Sequence, residues 1–311
     1  TGANALREPF HRYIVNVRAS YYQETGAAVA HLVEDLGLNR IAVFYQYDAY
    51  GFDGLRGAEL AMKKYDSTPV AKSSYIRGTL DVEDGLDKAL AADPQAVVMI
   101  GTYEPCAKFI RLARQRKREL VFYNVSFVGA EELARLLGTT GDGVIVSQVV
   151  PPPELSEART MLAEVSPFIE LIHRYYPEDK PNSVSLEGYL NALVLVEGLR
   201  RAGRDLTREG LIDAIETIHG YPLGQGGKIS FSPQDHQGMD RVYFTRINEG
   251  KLELITDWKA MAKDLQPATP PGRASPTTSS TTPSMGPAGP SAADKAEAPA
   301  SMGDSGKDGQ Q

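Results

Sequence analysis

Three short stretches concentrate side chains able to grip or transform a small molecule: Tyr45-Gln46-Tyr47-Asp48-Ala49-Tyr50-Gly51, Gly101-Thr102-Tyr103-Glu104 and Asn124-Val125-Ser126-Phe127-Val128-Gly129. Tyrosines bring an apolar body with a polar tip, and hydroxyls and small residues fill the gaps between them. Such a wall suits a small polar ligand. The groups that turnover needs are not assembled in the same way. There is no GxSxG elbow, no P-loop and no GxGxxG after the first strand, and Cys106 has no neighbouring His. Asp48 and Asp53 could share acid and base roles, but a loop turn and a helix N-terminal charge explain the pair more simply. The five histidines lack metal-ligand spacing, and a single cysteine builds neither a disulfide nor a thiolate zinc site. The expectation is binding, with no enzymatic step, no cofactor and no metal.

The three stretches each follow a strand-like run, and each strand-like run alternates with a segment of helical period. Strands are expected at Arg12 to Val17, Ile41 to Tyr45, Val70 to Ile76, Val97 to Ile100, Leu120 to Asn124 and Gly143 to Val149. Helices are expected at Thr25 to Leu36, Gly51 to Tyr65, Asp81 (as N-cap) to Leu90, Pro105 to Arg116 and Ala130 to Leu137. This spacing predicts an α/β fold of βαβ units around a parallel sheet. In such sheets ligands sit beyond the carboxyl ends of the strands, where the three stretches fall. The run Arg111, Arg114, Arg116, Lys117 and Arg118 reads as a solvated helix end whose cations suit the dipole.

At Pro151-Pro152-Pro153 the pattern changes, as where a chain leaves one body for another. Helices follow at Ser156 to Tyr176, Ser185 to Ala202 and Thr207 to Thr217. A glycine-rich turn at Gly224 to Gly227 precedes strands at Lys228 to Phe231, Arg241 to Ile247 and Leu252 to Asp257, the last two joined through Asn248-Glu249-Gly250. The 311 residues suggest two domains, and the net charge of −7 argues against a nucleic-acid surface. From Pro267 to Gln311 there is no Leu, Ile, Val, Phe, Tyr or Trp, so a disordered Pro/Ser/Thr/Gly-rich tail is expected.

Several segments in the same order carry a family resemblance: Asn16-Val17-Arg18-Ala19-Ser20-Tyr21-Tyr22-Gln23-Glu24, Phe44 to Gly51, Asn124 to Gly129 and Asp235-His236-Gln237-Gly238. Together they resemble the branched-chain amino-acid (leucine/isoleucine/valine) binding proteins of ABC importers, type I periplasmic binding proteins. The resemblance implies a two-lobed clamshell with parallel sheets, lobe 1 incomplete at its N-terminus. Residues 1–19 and 151–234 would belong to lobe 1, residues 20–150 to lobe 2, residues 235–266 to final strands crossing back, and residues 267–311 to the tail. It also implies an exported, periplasmic or cell-envelope monomer that delivers an amino acid, or a related amide or carboxylate, to a membrane permease. A ligand-sensing receptor module of the same fold is the alternative.

Site residues follow from the same resemblance. Thr1, Gly2 and Ala3 match a lobe-1 loop that meets the ligand carboxylate, Tyr50 an aromatic at the cleft rim, and Tyr103 an aromatic against the ligand. Ser126 stands where some members carry an acid that pairs with the ligand ammonium. Because Ser126 is neutral, Asp48 and Glu104 are the further candidates for that charge. Tyr189 is expected in the core, given Leu186, Leu190 and Leu193 around it.

Overall fold

A computed structural model describes residues 1–224 and 227–265. The chain runs through α1 (Tyr21–Ala30), β1 (Ile41–Gln46), α2 (Ala49–Lys63), β2 (Lys72–Tyr75), α3 (Glu83–Ala91), β3 (Ala96–Ile100), α4 (Tyr103–Arg116), β4 (Val121–Asn124), α5 (Ala130–Leu137) and β5 (Ile145–Gln148). Helices then dominate: α6 (Ala158–Met161), α7 (Val165–Tyr175), α8 (Ser183–Ala202) and α9 (Arg208–Glu216). A ribbon of β6 (Tyr221–Gly224) and β7 (Gly227–Ile229), a hairpin of β8 (Tyr243–Asn248) and β9 (Lys251–Leu254), and α10 (Trp258–Leu265) follow.

The main sheet has seven strands in the order β2-β1-β3-β4-β5-β8-β9. The first five are parallel, whereas β8 is antiparallel to β5 and β9 to β8. The expected parallel sheet forms from the first five strands, and the hairpin β8–β9 extends it antiparallel, as the tight turn between those two strands requires. Glu249 and Gly250 form that turn with φ of 49° and 74°, the sign that matches the twist of a hairpin. Every residue of β3 and β4 is buried, which is why these strands read as unbroken apolar runs. Phe44, Met99, Phe109 and Phe122 pack on one face of the sheet, and Val29, Val43, Val98 and Ile100 on the other. Burying each such side chain contributes roughly 1.5–3 kcal/mol.

A separate core of Val165, Phe168, Leu186, Leu190, Ile215 and Phe231 holds α7, α8, α9 and the ribbon together as a helical body. The chain passes between sheet body and helical body around residues 16–20, 149–153 and 236–242. Two of these passes pair: the Asn16 N–H donates to the His236 carbonyl at 2.9 Å, and the Gly238 N–H to the Asn16 carbonyl at 2.7 Å. The Gln237 side chain accepts from Arg7 Nε at 3.0 Å and donates to Gln23 Oε1 at 2.7 Å, tying the same point to α1.

Several expected boundaries move, each for a local reason. Residues 12–17 form no strand; Arg12 and Tyr13 lie in a turn that the Ile14 N–H closes on the His11 carbonyl at 3.0 Å, and only Asn16 makes a bridge. α1 begins at Tyr21, four residues before Thr25, because Ser20 and Gln23 form a capping box. Val82, not Asp81, occupies the N-cap position of α3. The helix expected over Ser156 to Tyr176 is broken, ending at Met161 and resuming at Val165. Asn182 rather than Ser185 caps α8, its side chain accepting from the Ser185 N–H at 2.9 Å. Helix α10 was not expected; its Trp258 ring stacks on His31 at 4.1 Å. The tail at 267–311 and the turn residues 225–226 lie outside the described residues. Among the described residues no helix is long and apolar enough to cross a membrane.

Candidate functional site

A cavity of about 650 Å³ and one of about 610 Å³ indent the surface. The smaller opens between the sheet body and the helical body, beyond the carboxyl ends of β4 and β5, where an open α/β sheet presents its ligands. The sheet body supplies Tyr103, Ser126, Phe127, Glu131 and Gln148, and the helical body supplies Ser183, Val184, Glu187 and Asn191 from the first half of α8. Thr1 and Arg18 close the remaining side.

Local structure explains why these side chains meet. Gly129, at φ 81° in the left-handed region, turns the chain from β4 into α5 while the Tyr103 ring lies 3.3 Å from where a Cβ would stand. The start of α4, and with it Tyr103, is fixed from behind. The Thr102 N–H donates to the Tyr75 hydroxyl at 3.1 Å, and that hydroxyl donates to Gln46 Oε1 at 2.9 Å. Burial, with Cys106 nearby, pushes Tyr75 up to about 12, so it remains a neutral donor. Phe127 rests on Tyr50, with ring centroids 5.0 Å apart, and Tyr50 rests on Tyr21 at 5.2 Å.

Beneath the cavity runs a buried polar network. Arg18 Nη2 donates to Glu24 Oε1 at 2.5 Å and to Ser126 Oγ at 2.7 Å. Glu24 also accepts from the Ser126 N–H at 2.8 Å, Ser126 Oγ at 3.0 Å and Ser147 Oγ at 2.5 Å, and Ser147 in turn accepts from the Tyr123 hydroxyl at 2.9 Å. The second Arg18 nitrogen, Nη1, reaches Glu187 across the cleft at 3.3 Å. Burial opposes the Arg18 charge, but Glu24 and Glu187 together outweigh it and raise its pKa above the ordinary value. At the rim, the Ser183 N–H at the start of α8 donates to Glu131 Oε1 at 3.0 Å. The two bodies thus meet through charge-assisted contacts at both ends of the cavity.

The sequence-derived candidates distribute unevenly around this arrangement. Thr1, Tyr103 and Ser126 line the cavity. Gly2 is buried, its carbonyl accepting from the Tyr21 N–H at 2.7 Å, with no room for a side chain against the Tyr21 ring. The Ala3 carbonyl accepts from Arg7 Nη1 at 2.8 Å. Tyr50 stands behind Phe127. Asp48 caps α2, accepting from the Gly51 N–H at 3.1 Å and from Gln46 Nε2 at 2.6 Å, and Glu104 is exposed in the first turn of α4. Tyr189 packs against the helical core, its hydroxyl on Glu164 at 3.1 Å. Arg18, Glu24 and Glu187 were not singled out from the sequence. One signal was legible: Tyr21, Glu24, Thr25 and Ala28 are the buried stripe of α1, and an acid inside such a stripe needs a buried partner. No group of metal-ligating side chains occurs among the described residues.

The family described as periplasmic binding protein matches residues 1–251. The chain belongs to that family. A solved structure of a possible leucine/isoleucine/valine-binding protein from Rhodopirellula baltica is 35% identical, with a TM-score of 0.77 over 84% of this chain and 70% of the other. A substrate-binding periplasmic protein from Ralstonia solanacearum is 28% identical, with a TM-score of 0.71 over 82% and 71%. A branched-chain amino acid ABC transporter protein from Thermus thermophilus, solved with bound valine, shares the fold at 19% identity, with a TM-score of 0.72 over 85% and 72%. No curated protein matches. The α/β architecture and the family resemblance read from the sequence are those of these periplasmic binding proteins.

Proposed function

We propose that this periplasmic binding protein is the extracytoplasmic solute-binding component of an ABC importer. Its ligand would be an amino acid of the branched-chain type, or a related small amide or carboxylate. The sheet body acts as one lobe and the helical body as the other, hinged at the three passes. The observation that carries the reading is the cavity whose walls come from both bodies. A ligand shifts an open–closed equilibrium only through contacts that exist in one state, and a cavity shared between two bodies supplies them. Apolar walls from Phe127, Val149, Val150 and Val184 suit an aliphatic body, and the polar groups at either end suit its head. The closed monomer, in the cell envelope, would then be the form a membrane permease receives.

A thermal melt of the full chain against amino acids, amides and small carboxylates tests this reading. Selective binding raises the melting temperature in proportion to ln(1 + [L]/Kd). A cooperative melt that no member of the panel moves would overturn it.

A further inference from the structure

The cavity has an unbalanced charge that the family resemblance leaves unexplained. The position where some relatives carry an acid is Ser126, and its hydroxyl is committed, donating to Glu24 and accepting from Arg18. Neither Asp48 nor Glu104 lines the cavity. Among the described residues that line it, the charged ones are Arg18, Glu131 and Glu187, and Glu24 lies directly beneath. One side-chain cation, Arg18, therefore faces three carboxylates.

These carboxylates differ in how far their oxygens are occupied. Glu24 accepts four hydrogen bonds and is wholly buried. Glu131 accepts from the start of α8. Glu187 makes only the long contacts to Arg18 Nη1, at 3.3 and 3.5 Å, each longer than the 3.0 Å bond that Glu131 accepts. An ionised carboxylate offers about four lone-pair sites, so Glu187 has capacity left for a donor-rich ligand group. A second observation points to a ligand at the same place. The Gln148 amide nitrogen and the Ser183 hydroxyl line the cavity, are more than nine-tenths buried and have no partner. Buried polar groups are normally satisfied, and a bound molecule with polar atoms at its head would satisfy these.

The geometry points to Glu187, on the helical-body wall, as the anionic partner of a primary ammonium group on the ligand, with Arg18 holding its carboxylate toward the cavity. The inference rests on the solute-binding reading and specifies it. The cleft selects molecules that carry an amine, and the charge that selects them comes from α8 instead of from the position of Ser126. Because Arg18 is already matched by Glu24, the ligand's far end is met by neutral donors, and an amide or a carboxylate is accommodated there.

Calorimetric titration of the full chain with leucine, leucinamide, 3-methylbutylamine and 4-methylpentanoate reads the selection directly. The amine-bearing compounds are expected to bind and 4-methylpentanoate, which has the body without the amine, is not. Glu187→Gln is expected to weaken the amines about a hundredfold, as loss of one member of a desolvated charge pair does, with a cooperative unliganded melt showing that the variant folds. Glu187→Asp, which keeps the charge, recovers part of the loss and serves if the Gln variant folds poorly. Binding of 4-methylpentanoate as tight as that of leucinamide, or amine affinity unaltered in Glu187→Gln, overturns the inference and leaves solute binding standing. A wild-type chain that binds nothing in the wider panel overturns both.

Discussion

In the sheet body, helices lie on a sheet whose central strands are buried throughout; in the helical body, α7, α8 and α9 rest on one another and on a short ribbon. The difference shows in the apolar side chains. Phe44, Phe109 and Phe122 are fully buried, whereas Leu195 on α8 is 48% exposed and Tyr175 on α7 is 64% exposed. A sheet covered on both faces fixes its loops from both sides, and a one-sided body holds its helices by a single face. The wall carrying Tyr103 and Ser126 is thus rigidly supplied, and the wall carrying Glu187 is the one whose position depends on contacts across the cleft.

Substitutions can break this comparison or sharpen it. Phe109→Ala, in the doubly covered core, is expected to cost about 3–5 kcal/mol in denaturant unfolding. A cost near that of a surface change would mean that the sheet does not support α4 as described. Glu24→Ala, which leaves Arg18 buried opposite nothing but Glu187, should cost about 3–5 kcal/mol by the same measurement. The loss should exceed that of Ser147→Ala, since a neutral hydroxyl leaves a smaller debt when removed.

How much of this was legible without coordinates follows from which interactions are local. The alternation from Ile41 to Gln148 was readable because strand and helix periods are short-range, and helix Ala130–Leu137 was placed to the residue. The start of α1 was missed although Ser20-x-x-Gln23 is a readable capping signature. The start of α8 was missed because Asn182 lies in a polar stretch with several possible caps. The break after Met161 had a readable signal in Pro167, which has no N–H and fits only the first turn of a helix; Leu162 and Val165 turn inward onto the helical core there. Of the site, Thr1, Tyr103 and Ser126 came from strand ends and resemblance. The Arg18–Glu24–Glu187 cluster joins residues 6 and 169 positions apart, and no periodicity brings α1 and α8 together.

Smaller effects probe the junction between the two bodies. Gly129→Ala forces a Cβ into the left-handed region and toward Tyr103, and an expected loss of about 1–2 kcal/mol should come with weakened ligand binding. Asn182→Ala removes the α8 cap for about 1 kcal/mol, and circular dichroism should show the first turn of that helix fraying. Leu195→Ser, on the open face, should change stability by less than about 0.5 kcal/mol. A loss several times larger would mean that this face is covered.

Hydrogen exchange of the full chain, with and without a ligand found by the melt, tests the two-walled cleft most directly. The account predicts added protection at both residues 126–131 and residues 183–191 on binding, with β3 and β4 slow in either state. Protection confined to one wall, or to neither, would contradict it.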